Sequence, residues 1–190
     1  MNHPQIDTER LCLRCFRRRD AAAASYNSRQ PSVAHFMSDM VLPSPKDARR
    51  WIRWLNGKID TGVPCVVLAV ELKAHKKCVG LIGAAPKREL GNEIEILFEI
   101  ADGYQNRGYI TEAGKALIAW VFANTPAPWL VAIVKHGNLA SQRVISKLGF
   151  RYFGERRIEY DGQMTDFHYY RLEREQPVPA AKNYIKEETV

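Results

Sequence analysis

A carboxylate-bearing, strand-like segment runs directly into a glycine-containing loop, and together they have the makings of a site for an anionic ligand. In Glu93–Ile100, Ile94, Ile96, Phe98 and Ile100 alternate with Glu93, Glu95, Leu97 and Glu99, the period of two expected of a strand with one apolar face. The polar loop Asp102–Gly108 follows, and helical spacing resumes at Ile110, Ala113, Leu117, Trp120 and Val121. The first amides of a helix lack internal partners and carry the positive end of its dipole. Such a terminus suits a phosphate or pyrophosphate. Gly108 would let the backbone approach that ligand, and Arg107 adds charge. Many loop–helix junctions carry Gly and Arg and bind nothing, so the pattern alone leaves both readings open.

The rest of the chain must position this junction. Leu11–Phe16 reads as a strand, and Asp20 as the N-cap of a helix begun by Ala21–Ala24. After the break at Pro43-Ser44-Pro45, a helix is expected from about Lys46 to Lys58, with Ala48, Trp51, Ile52 and Leu55 on one face. Cys65–Leu72 and Cys78–Ala84 read as a hairpin joined by Lys73–Lys77, and Gly91-Asn92 as a turn. Leu130–Val134 is a continuous apolar strand. Asn138 offers an N-cap for a helix through Leu148, closed by Gly149. Asp161-Gly162 marks a hairpin between Arg151–Tyr160 and Gln163–Leu172. The order predicts a single α/β (α+β) domain over residues 1–174, with an exposed tail at 175–190. The strands flanking the Gln105–Asn124 crossover should be parallel.

Gln105-x-x-Gly108-x-Ile110 with Thr111-Glu112-Ala113 resembles the coenzyme A-binding motif of the GNAT acetyltransferase superfamily, although Ile110 replaces the usual small last residue. Three further stretches agree in order. Ile6–Arg14 resembles the N-terminal strand of the ribosomal-protein N-acetyltransferase branch. Val79-Gly-Leu-Ile82 resembles the third-strand signature, and Asn138–Phe150 the motif after the fifth strand. The resemblance covers residues 6–173. It implies a mixed, mostly antiparallel sheet of about seven strands flanked by helices, whose fourth and fifth strands splay apart. It further implies that the donor, acetyl-CoA, lies in that cleft, its pantetheine along Phe98, Glu99 and Ile100 and its pyrophosphate on Gln105, Asn106, Arg107, Gly108, Tyr109 and Ile110. Asn138 would hydrogen-bond the pantetheine or act only as a cap. Arg143 and Lys147, four apart on one helix face, would meet phosphates or stand as ordinary surface cations.

The implied reaction is acetyl transfer to a primary amine, a protein N-terminus or a small molecule, by direct attack on the thioester. The amine must be neutral to attack, and a carboxylate can remove its proton. Glu99 and Glu95 are the candidate bases, with Glu99 nearer the expected thioester, while Glu93 is expected at the surface. Ser141 is the candidate acid or hydrogen-bond donor for the leaving thiolate. His168 is expected mainly in packing or at the surface, with an acceptor-lining role as the alternative. Trp51 and Trp54 are expected mainly in the core, one of them within reach of substrate.

Composition fits this reading. The apolar fraction is 46% and the charged fraction 26%, ordinary for a globular chain. The net charge of +7 is dispersed, and a polyanionic donor accounts for its sign without nucleic acid. No apolar run reaches the ~18 residues of a membrane span, and Met1–Arg10 lacks a signal-peptide core, so the expected compartment is cytoplasmic. Cys12 and Cys15 lie three apart on an extended segment and point to opposite faces, so no metal is expected. Expected partners are acetyl-CoA and an amine, with neither nucleic acid nor membrane, in a monomer or homodimer. A catalytically weak coenzyme A-binding module is the competing reading.

Overall fold

The computed structural model of the chain describes residues 4–58 and 65–174. The tail expected at 175–190 lies outside them. Among the described residues eight strands form one sheet: β1 (Gln5–Asp7), β2 (Leu11–Arg14), β3 (Val66–Leu72), β4 (Lys77–Lys87), β5 (Glu93–Ile100), β6 (Trp129–Lys135), β7 (Arg151–Tyr160) and β8 (Gln163–Glu173). Their spatial order is β1-β2-β3-β4-β5-β6-β8-β7. The strand beyond the expected seven is β1, a three-residue edge strand paired to β2, too short to show alternation. Among the described residues five α-helices accompany the sheet: α1 (Ala21–Ser28), α2 (Pro31–Phe36), α3 (Pro45–Asn56), α4 (Tyr109–Asn124) and α5 (Leu139–Lys147).

The alternation in β3 sorts the core into two layers. Leu68 and Val70 pack with Leu117 and Val121 of α4, whereas Val67 and Ala69 pack with Ala24 of α1 and Ile52 of α3. α3 has the expected apolar face, and its N-cap is Ser44, whose Oγ accepts from the Asp47 amide. At the end of α5, Gly149 adopts φ +90°, and the Phe150 amide donates to the Ile145 carbonyl at 3.2 Å. This left-handed cap ends the helix.

Two expectations are corrected here. Asp20 precedes α1 but does not cap it: its backbone is helical and its side chain makes no capping bond to the helix. Instead it is buried, accepting from Arg14 Nη1 at 2.7 Å and from the Arg17 amide at 2.7 Å. Glu93 is likewise no free surface carboxylate. It accepts from Trp129 Nε1 at 2.7 Å and from the Tyr169 hydroxyl at 2.9 Å.

That clamp explains the shape of the sheet. β5 and β6 are parallel, as the crossover through α4 requires, but their ladder holds only Glu95 opposite Val131. Glu93 ties β5 to β6 and β8 at the closed end, and beyond Glu95 the strands part. The other side of β5 is held tightly by β4, where Gly80 faces Ile100. A Cβ at position 80 would stand 2.2 Å from the Glu99 carbonyl oxygen and 3.0 Å from Ile100 Cα. Both are backbone atoms, so β5 itself would have to move. Gly80→Ala is therefore expected to destabilise the chain by about 1–3 kcal/mol. An unchanged urea-unfolding midpoint would refute this reading of the glycine.

Candidate active site

Where β5 and β6 part, a cavity of about 350 Å³ opens. Its walls come from Phe98, Glu99 and Ile100 of β5, from the loop and first turn of α4, from α5, and from α2. Each residue anticipated for donor binding lines it: Phe98, Glu99, Ile100, Gln105, Asn106, Arg107, Gly108, Tyr109, Ile110, Asn138, Arg143 and Lys147. A second cavity of about 150 Å³ adjoins it, and Glu95 faces this one together with Asp39, Lys87 and Tyr160. Phe36, Met37, Phe98, Asn138 and Ser141 line both, so the two spaces meet among these residues, Ser141 included.

The α4 junction has the geometry that an anion site needs. Gly108 is the N-cap residue at φ +76° and offers no side-chain cap, leaving the first-turn amides uncovered. The left-handed conformation is open to glycine without the Cβ penalty. Arg10 holds the loop in place. Its Nη1 donates to the Arg107 carbonyl at 3.0 Å, and its Nε pairs with Glu112 Oε2 at 2.6 Å. Burial would raise the Glu112 pKa, but bonds from Thr8, the Arg10 backbone and the Arg10 side chain hold it below the usual value. On the opposite wall, Gln105 Nε2 donates to Ser32 Oγ at 2.8 Å, and Ser32 donates to Asp102. These bonds tie the loop to α2.

Sequence reading assigned no role to Arg10 or to α2. Arg10 shows no local signal, because it acts through contacts remote in sequence; α2 begins with Pro31 at its first turn, a start signal, but its place on the cavity wall is set by remote contacts. At α5, the Asn138 side chain accepts from the Ser141 amide at 3.1 Å, so Asn138 is a cap and also a wall of the cleft. Arg143 and Lys147 are exposed at the rim.

The two carboxylates differ in surroundings. Glu99 is 6% exposed, and its Oε2 is buried without a hydrogen-bond partner among the described residues. Burial pushes its pKa up to about 8. Glu95 is raised to about 7, chiefly by burial; Lys87, 4.0 Å away, opposes the shift, and Asp39 adds to it. Neither carboxylate stands on the solvated strand face that alternation alone would allow. A buried carboxyl with a raised pKa in a cleft marks a candidate functional group.

Trp51, Trp54 and His168 line neither cavity. Trp51 packs edge-on to Phe16 at 5.2 Å, and Trp54 is 57% exposed. Both border a separate depression beside α3, which corrects the expectation that one reaches the substrate cleft. His168 stacks on His136 at 4.3 Å.

No helix among the described residues is long and apolar enough to cross a membrane. The family model described as an acetyltransferase (GNAT) domain matches residues 10–151. YkkB of Bacillus subtilis (strain 168) is 29% identical over 150 residues, which are 78% of this chain and 86% of YkkB. Among solved structures, an acetyltransferase (GNAT family) from Bacillus anthracis has TM-score 0.73 at 24% identity, covering 90% of this chain and 98% of that one. Mycobacterium smegmatis RimJ, in complex with CoA-disulfide, has TM-score 0.75 at 21% identity, covering 90% and 87%. The superpositions bear on the fold, and the family model spans most of the domain. The chain belongs to the GNAT acetyltransferase family and is an acyltransferase.

Proposed function

We propose that the chain transfers the acetyl group of acetyl-CoA to a primary amine, with the donor in the larger cavity and the acceptor in the smaller. The observation that carries this reading is the placing of a buried, partner-poor Glu99 carboxyl in the same cavity as the uncovered first amides of α4. The pyrophosphate would lie on the amides of Gln105–Ile110, with Arg107, Arg143 and Lys147 supplying positive charge at the rim. The pantetheine would run beside Phe98–Ile100. An RimJ bound to CoA-disulfide supports coenzyme A as the ligand class.

Glu99 acts as the base that takes the ammonium proton, directly or through a water. Glu95 faces the acceptor side and helps hold the cationic amine. Ser141, where the two cavities meet, donates its hydroxyl to the sulfur as negative charge develops there. A hydrogen bond to a charged group contributes about 1.5–3 kcal/mol. Ser141→Ala is therefore expected to lower turnover by about tenfold or more, with donor affinity unchanged. Wild-type turnover in that variant would remove Ser141 from the chemistry.

Candidate acceptors are a protein N-terminus or a small-molecule amine. Mixtures of amines and N-terminal peptides incubated with labelled acetyl-CoA, then read by mass spectrometry, test the proposal. Binding of acetyl-CoA without acetylation of any amine would favour a coenzyme A-binding module instead.

A further inference from the structure

We infer that His136, Glu155 and His168 form a binding site for a divalent first-row cation of the zinc type. The three ligand atoms lie within 4.8 Å of one another. His136 Nε2 stands 3.2 Å from Glu155 Oε1, and His168 Nδ1 stands 3.3 Å from the same oxygen. Zinc bonds of about 2.0–2.2 Å place neighbouring ligands of a tetrahedron about 3.3–3.6 Å apart, and both separations lie near the lower end. His168 Nδ1 is buried and, among the described residues, makes no hydrogen bond. It therefore lies near the carboxylate without being aligned to it, as two ligands of one ion do.

The backbone builds this arrangement. Arg151 and Tyr152 pair with Arg171 and Tyr170, but the register then slips, so that Glu155 rather than Gly154 faces His168. Gly154 takes φ +104° inside this bulge. Bulges re-aim side chains in this way, and here the slip puts a carboxylate beside an imidazole. His136 enters from the end of β6, just before Gly137 at φ +82°. Tyr152 donates to Glu155 Oε1 at 3.5 Å, a contact of the kind that orients a ligating carboxylate. Imidazole and carboxylate donors suit zinc, nickel or copper better than magnesium or calcium. His136 and Glu155 are about half exposed, which leaves a coordination position open to water.

None of the three lines the substrate cleft. Such an ion would fasten the β6–α5 turn to the β7–β8 hairpin, two residues before Asn138 caps the helix that carries Ser141. Its role is to brace the fold rather than to perform chemistry.

The test uses the full-length untagged chain, stripped with chelator and titrated with zinc chloride against a chromogenic competitor. One equivalent should bind and raise the thermal midpoint, and cobalt should give visible absorption. His136→Ala and Glu155→Gln, each checked to unfold like the wild type without zinc, should weaken zinc about tenfold or more and lose the thermal shift. The Cys12→Ser, Cys15→Ser double variant should bind as the wild type does. Absence of stoichiometric binding, binding that survives both ligand substitutions, or binding lost with the thiols would each overturn the site.

Discussion

Glu99→Gln is expected to lower turnover by about a hundredfold or more while acetyl-CoA binds as before. A positioned general base contributes roughly 10²–10⁴ in rate. Glutamine keeps the shape of the side chain and leaves the amides of Gln105–Ile110 untouched. The wild-type rate should rise with pH along a limb near 8, because Glu99 must lose its proton to act and burial holds its pKa at about 8. The variant should lose that limb. Glu95→Gln should retain it with a smaller loss, since Glu95 faces the smaller cavity, the one proposed for the acceptor. If Glu95→Gln abolished the limb and Glu99→Gln kept it, the two roles would be reversed.

The same substitution should stabilise the fold. A carboxyl whose pKa is raised to about 8 on folding binds its proton more tightly in the folded state. Its contribution is therefore fully present below the unfolded value, near 4.3, and is lost as pH rises to 8. At pH 8 the folded wild type bears a desolvated carboxyl that is about half ionised, whereas in the unfolded chain it is fully ionised, and Gln replaces it with a neutral amide. Glu99→Gln is expected to be more stable than the wild type by on the order of 2–4 kcal/mol at pH 8, with the gap closing towards pH 4. Higher stability with lower turnover is the signature of a residue kept for function. A urea-unfolding series at the two pH values measures it.

What the sequence disclosed and what it hid divide along the range of the forces involved. β5 was legible to the residue because its alternation is local, and Gly149 and Asp161-Gly162 because a turn's backbone demands particular residues. The α4 junction was readable as a possible anion site from Gly108 and Arg107, and the family motif made it specific. The clamp of Glu93 on Trp129 and Tyr169 was hidden, since it joins three strands far apart in sequence. So was the burial of Glu99: alternation places a side chain on one face of a strand without saying what covers that face. Asp20 shows the converse error. A local rule made it a cap, and Arg14, buried beside it, outbid the helix amides for its carboxylate.

Arg14→Met should therefore have the largest effect on stability, about 3–5 kcal/mol. Arg14 reaches Asp20 with Nη1 at 2.7 Å and Nη2 at 3.0 Å, and Glu71 with Nη2 at 2.5 Å, with all three residues buried. Burial opposes the charge on Asp20, but the bonds from Arg14 and the Arg17 amide, together with the Arg14 charge, outweigh it and hold the pKa below the ordinary value. Removing the cation leaves two buried carboxylates without their shared counter-charge, Asp20 keeping only the Arg17 amide. In the wild type the contribution of Asp20 is present above its unfolded pKa and is lost as pH falls through the lower folded value. In the variant Asp20 can regain stability by taking up a proton, so the deficit should be larger at pH 8 than at pH 5. Combining Arg14→Met with Glu71→Met and Asp20→Asn should recover most of the loss, because buried ion pairs are often replaceable as a set. The network fixes the start of α1. The end of that helix leads into α2, one wall of the larger cavity, so on the proposed placing of the donor there Arg14→Met should also weaken acetyl-CoA binding. Urea unfolding of the single and triple variants at both pH values decides the matter: a deficit under about 1 kcal/mol, or one that does not change with pH, would mean that the buried charges are compensated by something other than Arg14.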